Sequence, residues 1–174
     1  MAHLIVTAVG PDRPGLVAAL AAIVNGAGGS FADSRMVNLQ GHFALLARVD
    51  GDGGALDAIG ARLVADAKGH GLDVKLHRVD SAAAVSVGVV PYRLKTYSPD
   101  QHGIVARVTA LLAEHGVNVE ELETRLETAP FAGTPLFTVN AVINVPATVP
   151  VRKLREALGR LADDFGGDVD VDPA

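Results

Sequence analysis

The residues with the clearest chemical potential sit at a turn that occurs twice. Gly10-Pro11-Asp12-Arg13-Pro14-Gly15-Leu16-Val17 joins an apolar run, Leu4 to Val9, to a second apolar run, Leu16 to Val24. Ser98-Pro99-Asp100-Gln101-His102-Gly103-Ile104-Val105 repeats the pattern, with the Asp and the Gly each displaced by 88 residues. A strand that turns into a helix here brings three things together: a carboxylate, a glycine and the unpaired amides of a helix start. Those amides and their partial positive charge are a seat for an anion. Asp12 and Asp100 serve either as helix caps or as receivers of a ligand ammonium. Gly15 and Gly103 allow a ligand or another backbone to come close. Such a turn can address both ends of a free amino acid. Arg13 fits either a ligand carboxylate or a solvated or interdomain role.

Other chemistries find little support. The chain has no cysteine, which removes disulfides, thiolate metal sites and a cysteine nucleophile. His3, His42, His70, His77, His102 and His115 are scattered, without the i, i+4 pairing of a zinc helix. His102 lies inside the second turn and is kept as a ligand candidate; His115 falls on an apolar helical stripe and reads as structural. No serine sits in a nucleophile elbow. Gly26, Gly28 and Gly29 follow a helix rather than open one, so they stop it and make no dinucleotide fingerprint. Neither a metal nor a cofactor is called for.

The elements that must position the turns follow from periodicity. Leu4 to Val9 reads as a central strand. Leu16, Leu20, Ile23 and Val24 form a core stripe on a helix whose other sides are also Ala and Val. That helix is expected to pack against a second domain or subunit as well as its own sheet. A strand over 30–38, a tight turn at Gln40-Gly41 and an alternating strand Phe43, Leu45, Ala47, Val49 come next. A helix on Leu56, Ile59 and Leu63 and a strand from Leu72 complete a strand–helix–strand–strand–helix–strand unit, the ferredoxin-like order.

The second half repeats that order. It has a strand over about 87–97, with Pro91 marking an edge, bulge or break. A helix carries Ile104, Val108 and Leu112. A strand over 117–126, a hairpin loop over 129–135 and a strand over 136–145 follow. The stripe Val151, Leu154, Leu158, Leu161, Phe165 has a solvated basic face, and a closing strand ends the chain. The division is residues 1–80, a linker at 81–86, and residues 87–174. The fold class is α+β, two ferredoxin-like domains in tandem, each an antiparallel sheet with helices on one face.

Composition limits the partners. Of 174 residues, 49% are hydrophobic, and the net charge is −5. The halves carry −1 and −4, so neither offers the basic footprint that direct nucleic-acid binding needs. No apolar run reaches membrane-spanning length, and Met1-Ala2-His3 does not have the basic region and long apolar core expected of a signal peptide. A soluble cytoplasmic protein is expected.

Asp12-Arg13-Pro14-Gly15-Leu16-Val17 followed by Asn25-Gly26-Ala27-Gly28-Gly29-Ser30 resembles the opening of an ACT domain. Asp100-Gln101-His102-Gly103-Ile104-Val105 followed by Glu114-His115-Gly116-Val117-Asn118-Val119 resembles another. Ser30-Phe31-Ala32-Asp33-Ser34-Arg35 is similar to the two-ACT-domain proteins of the glycine cleavage system transcriptional repressor type. The resemblance implies domains that pair side by side and hold small effectors, usually amino acids, between them. It implies ligand contacts from the turn and from the start of the next strand. Those positions are Asp12 and Ser30 in one half, Asp100 and Asn118 in the other, each strand position 15 residues after its glycine. Ser34-Arg35 is aligned with Thr124-Arg125, two residues out of step, through a bulge or a shifted register, so the two sites need not be equivalent.

The expected function is a non-enzymatic amino-acid sensor, with glycine or serine as ligand. It would be a homodimer that regulates transcription through a partner regulatory protein. The alternatives are a separately encoded regulatory subunit of an amino-acid enzyme, or a structural adaptor without ligand. The ligand-binding set is Asp12, Arg13, Gly15, Ser30, Asp100, His102, Gly103 and Asn118. The second turn is favoured because His102 and Asn118 accompany it.

Overall fold

The computed structural model of the chain describes residues 2–80, 88–128 and 135–174. The expected linker at 81–86 and the hairpin loop residues 129–134 lie outside the described residues. The chain divides into two compact units, Met1–Ala84 and Val85–Ala174. The first contains β1 (His3–Pro11), α1 (Leu16–Gly26), β2 (Ser30–Leu39), β3 (His42–Asp50), α2 (Gly53–Gly69) and β4 (Asp73–Val79). The second contains β5 (Val89–Pro99), α3 (Ile104–Glu114), β6 (Asn118–Thr128), β7 (Pro135–Pro146), α4 (Val151–Phe165) and β8 (Asp168–Pro173). Both sheets are antiparallel, ordered β2-β3-β1-β4 and β6-β7-β5-β8. Both units are thus βαββαβ, as the periodicity requires.

Alternation decides which face of each sheet is covered. On β3, Phe43, Leu45, Ala47 and Val49 are buried, while Leu46 and Arg48 between them are exposed. Leu4, Val6 and Ala8 of β1 join the same core with Leu16, Leu20 and Val24 of α1 and Leu56, Ile59 and Leu63 of α2. In the second unit Leu94, Val139 and Ile143 of the sheet meet Ile104, Val108 and Leu112 of α3 and Leu154 and Leu158 of α4. Each unit therefore buries its own core under its own pair of helices.

On α1, Leu16, Leu20 and Val24 are buried and Ile23 is half-buried, but Val17, Ala18 and Ala22 are exposed, Val17 at 45%. The apolar character of this helix exceeds what its own core uses.

The duplication is preserved in the sheet register. β2 bulges between Phe31 and Asp33, and β6 between Val119 and Glu121, so both bulges sit at the 88-residue offset. Arg35 pairs with Leu46, opposite Thr7, and Glu123 pairs with Asn140, opposite Lys95. Arg35 thus corresponds to Glu123, not to Arg125. The expected two-residue shift is overturned, because both copies carry the same bulge. The copies fall out of step only after this, since Leu46 and Asn140 are 94 residues apart; the insertion lies in the second hairpin.

Three details separate the halves. A Cβ built on Gly10 would collide with the Gly71 carbonyl, and one on Gly167 with the Tyr97 carbonyl and with Ser98. The same close approach, between the end of the first strand and the loop after the second helix, thus uses a glycine on the strand in one unit and on the loop in the other. Ser98 and Thr96, which stand where the first unit has Gly10 and Ala8, are buried hydroxyls without a hydrogen-bond partner among the described residues. Pro91 lies on a central strand, yet it pairs only with β7, because pairing with β8 runs from Tyr92 to Tyr97. Its missing N–H therefore costs no ladder bond on the β8 side.

Candidate functional site

The two turns have nearly the same backbone. Gly15 is the N-cap of α1 with φ 93° and ψ −4°, and Gly103 is the N-cap of α3 with φ 90° and ψ 3°. A positive φ of this size is glycine territory. In both, the glycine carbonyl accepts the first helical bond, from Ala19 N and Arg107 N, each at 2.9 Å. Neither helix has a side-chain cap. The capping role weighed for Asp12 and Asp100 is therefore not the one they perform. Their backbone amides tie the turns to the neighbouring hairpin instead, Asp12 N to Gly41 O at 2.8 Å and Asp100 N to Pro135 O at 3.2 Å.

The side chains of the first turn are engaged but exposed. The amide of Asn38 donates to the Asp12 carboxylate, and the Oδ1 of Asn38 accepts from Gly41 N at 3.3 Å. The Arg13 guanidinium donates to His70 Nδ1 at 2.8 Å, at the C-terminus of α2. A groove of about 640 Å³ opens beside these groups. Asp12, Arg13 and Gly15 line it at the turn; Val17, Ala18 and Ala21 of α1 and Met36 of β2 line it beyond. Met36 faces the helix side of the sheet, opposite Leu45, yet is 48% exposed.

The second turn is braced differently. Gln101 Nε2 donates to Phe165 O at 2.8 Å, Arg107 pairs with Asp164 at 2.8 Å, and its guanidinium lies 4.5 Å from the centre of the Phe165 ring. Asp100 and His102 are exposed. His115 is the half-buried C-cap of α3, and its Nδ1 bonds Leu111 O at 2.8 Å.

Register decides which expected residues meet. Pro11, His42 and Leu39 form a row at the turn end of the first sheet, whereas His3, Asp50 and Ser30 form the row at the other end. At about 3.3 Å per residue these ends are roughly 26 Å apart. Asp12, Arg13 and Gly15 are together; Ser30 is not with them. The second sheet repeats this separation, with Pro99, Leu136 and Glu127 at one end and Pro91, Asn144 and Asn118 at the other. Asp100, His102 and Gly103 are together, and Asn118 is remote from them within its unit. Asn38 and Met36 stand by the first turn and escaped the motif reading. Their signal was the two-residue hairpin at Gln40-Gly41, both with positive φ, because counting back from it places Asn38 opposite Phe43 and level with Gly10.

The Asp50 carboxyl, beside Ser30, is held below its ordinary value, chiefly by hydrogen bonds from Arg48 and against a smaller desolvation effect. Arg48 gives it two bonds of 2.8 Å. Among the described residues no group of three or more His, Asp or Glu side chains is arranged to hold a metal ion. No described helix is long and apolar enough to cross a membrane.

Two βαββαβ units, each with a glycine-capped turn after its first strand, define a tandem ACT-domain protein. Residues 2–77 and residues 92–161 each match the ACT domain, and the chain belongs to that family. It is 24% identical over 164 residues to the glycine cleavage system transcriptional repressor of Escherichia coli K12, covering 94% of this chain and 85% of that one. A crystal structure of an unknown protein from Galdieria sulphuraria superimposes with a TM-score of 0.85 at 31% identity, covering 100% of this chain and 99% of the other. A structure described as a candidate glycine cleavage system transcriptional repressor matches in fold, with a TM-score of 0.74 at 22% identity over 98% and 96% of the two chains.

Proposed function

We propose that this chain is a non-enzymatic regulatory protein that senses a free amino acid and acts on transcription in the cytoplasm through a protein partner. The observation that carries the reading is the first turn: Asp12 and Arg13, charges of opposite sign, share one groove with the start of α1. Asp12 suits an α-ammonium and Arg13 an α-carboxylate. Each keeps capacity beyond its present bond, since a guanidinium has five N–H donors and a carboxylate two oxygens. Resemblance to a glycine cleavage repressor favours a role in amino-acid metabolism. The net charge of −5 favours action through a protein rather than on DNA directly.

Ser30 and Asn118 enter this reading through assembly. They lie at the far ends of their sheets from the turns. No single unit brings its turn and its strand start together, and we propose a homodimer in which a ligand can meet both. A ligand bound more tightly by one assembly state shifts the population toward it.

Calorimetry of the full chain against the common amino acids tests the reading. One or more should bind at or below millimolar concentration, and Asp12→Ala or Asp100→Ala should weaken binding at the turn concerned. Sedimentation with and without that amino acid should show a change in assembly. Absence of binding by every amino acid at millimolar levels sinks the sensor reading.

A further inference from the structure

We infer that the groove at the first turn selects an α-amino acid with an apolar side chain of several carbons, in preference to glycine or serine. This rests on the amino-acid-sensing reading and specifies the ligand class of the same site. The groove has two chemically distinct parts. Asp12 and Arg13 supply one negative and one positive group at the turn. Beyond them the lining is made of Val17, Ala18, Ala21, Met36 and the buried ring of Phe43, without another charged group. Charge complementarity places the α-ammonium and α-carboxylate at the turn. The side chain then points along α1, over surface that Val17 and Met36 leave 45% and 48% exposed.

Size decides between ligands. A groove of about 640 Å³ is within the usual range for small-molecule sites, roughly 300–1,000 Å³. Glycine fills only the polar end and leaves the apolar lining in water. Serine adds a hydroxyl that meets no polar partner beyond the turn. Each methylene removed from water tightens binding about fourfold when fully buried. In an open groove about half of that is retained, or roughly twofold per methylene. Leucine and methionine should therefore bind at least about tenfold more tightly than glycine.

The experiment is titration calorimetry of the full chain with glycine, serine, leucine, methionine and phenylalanine, repeated on Val17→Asp and Met36→Glu. Both positions are solvent-exposed, and an acidic residue in the first turn of α1 suits the helix dipole, so these variants keep the fold. Unfolding curves check that. Support is a tenfold or greater preference for a large apolar amino acid that collapses in both variants. If glycine or serine binds as tightly as leucine, the apolar selection is wrong while the sensor reading stands. If no amino acid binds, the sensor reading itself fails, and this inference with it. If the variants change the sedimenting species and leave every amino-acid affinity unaltered, the groove is an interface between copies, and the assignment is overturned.

Discussion

The side-chain amide of Asn38 donates to the carboxylate of Asp12, joining the tip of the β2–β3 hairpin to the turn that starts α1. These residues are 26 positions apart in the chain. They meet because the Gln40-Gly41 turn returns β3 beside β1, with Asp12 N bonded to Gly41 O at 2.8 Å. The hairpin tip and the candidate ligand turn therefore form one hydrogen-bonded structure.

Removing this contact should loosen the turn without unfolding the unit. Asn38→Ala is expected to cost about 0.5–1.5 kcal/mol, the usual net value of one hydrogen bond, with the low end favoured by exposure. A double-mutant cycle with Asp12→Ala in chemical denaturation measures the coupling. Additive losses would mean that the bond contributes nothing in solution.

Gly167 and Gly159 should respond in opposite directions to alanine. A Cβ on Gly167 meets the Tyr97 carbonyl and Ser98, backbone and strand atoms that have little room to move. Gly167→Ala should destabilise by about 2 kcal/mol or more, as other overpacked sites do. Gly159 lies inside α4, and among the described residues nothing outside the helix's own backbone comes within 4 Å of where its Cβ would stand. Gly159→Ala should stabilise by about 0.5–1 kcal/mol through helix propensity. Thermal unfolding of the two variants beside the parent decides it.

Thr96 and Ser98 hold buried hydroxyls without partners among the described residues. Such groups pay desolvation with no bond in return. Thr96→Val keeps the side-chain shape and should raise stability by about 1 kcal/mol. A loss of stability in urea titration would show that the hydroxyl is satisfied in solution.

Acid stability should depend in part on Asp50. Its carboxyl pKa is lowered from the ordinary 3.8, mainly by the hydrogen bonds from Arg48. The folded state then binds this proton less readily than the unfolded chain. The stabilisation is fully present above about pH 3.8 and is lost as the pH falls through the folded value. Both side chains are exposed, so the effect is small and weakens with salt. Asp50→Asn should flatten this part of the acid limb in melting curves taken from pH 5 to pH 2. An unchanged slope would argue against the pairing.

Much of the architecture was legible in the residues themselves. Alternation on β3, the stripe on α4 and the Gln40-Gly41 hairpin are local signals with local causes, and each element formed close to where they placed it. The surplus apolar face of α1 was legible too, but its fate was not. Hydrophobicity states that Val17 favours burial, not whether anything within the chain covers it. Likewise the similarity of Ser34-Arg35 to Thr124-Arg125 pointed to an alignment that hydrogen-bond register does not follow, because the bulge is common to both strands.

The candidate site divides along the same line. The linear chain by itself determined the duplicated turn, its 88-residue spacing and the glycines that must take a positive φ, since these depend on neighbours in sequence. Only the tertiary structure decided what surrounds each turn. A helix that runs back along its strand delivers the next strand to the opposite end of the sheet, so Ser30 and Asn118 leave the turns that precede them. The hairpin and the second helix return, and they bring Asn38 to Asp12 and His70 to Arg13. Adjacency across antiparallel strands is set by chain reversal and register, and a spacing counted along the chain records neither.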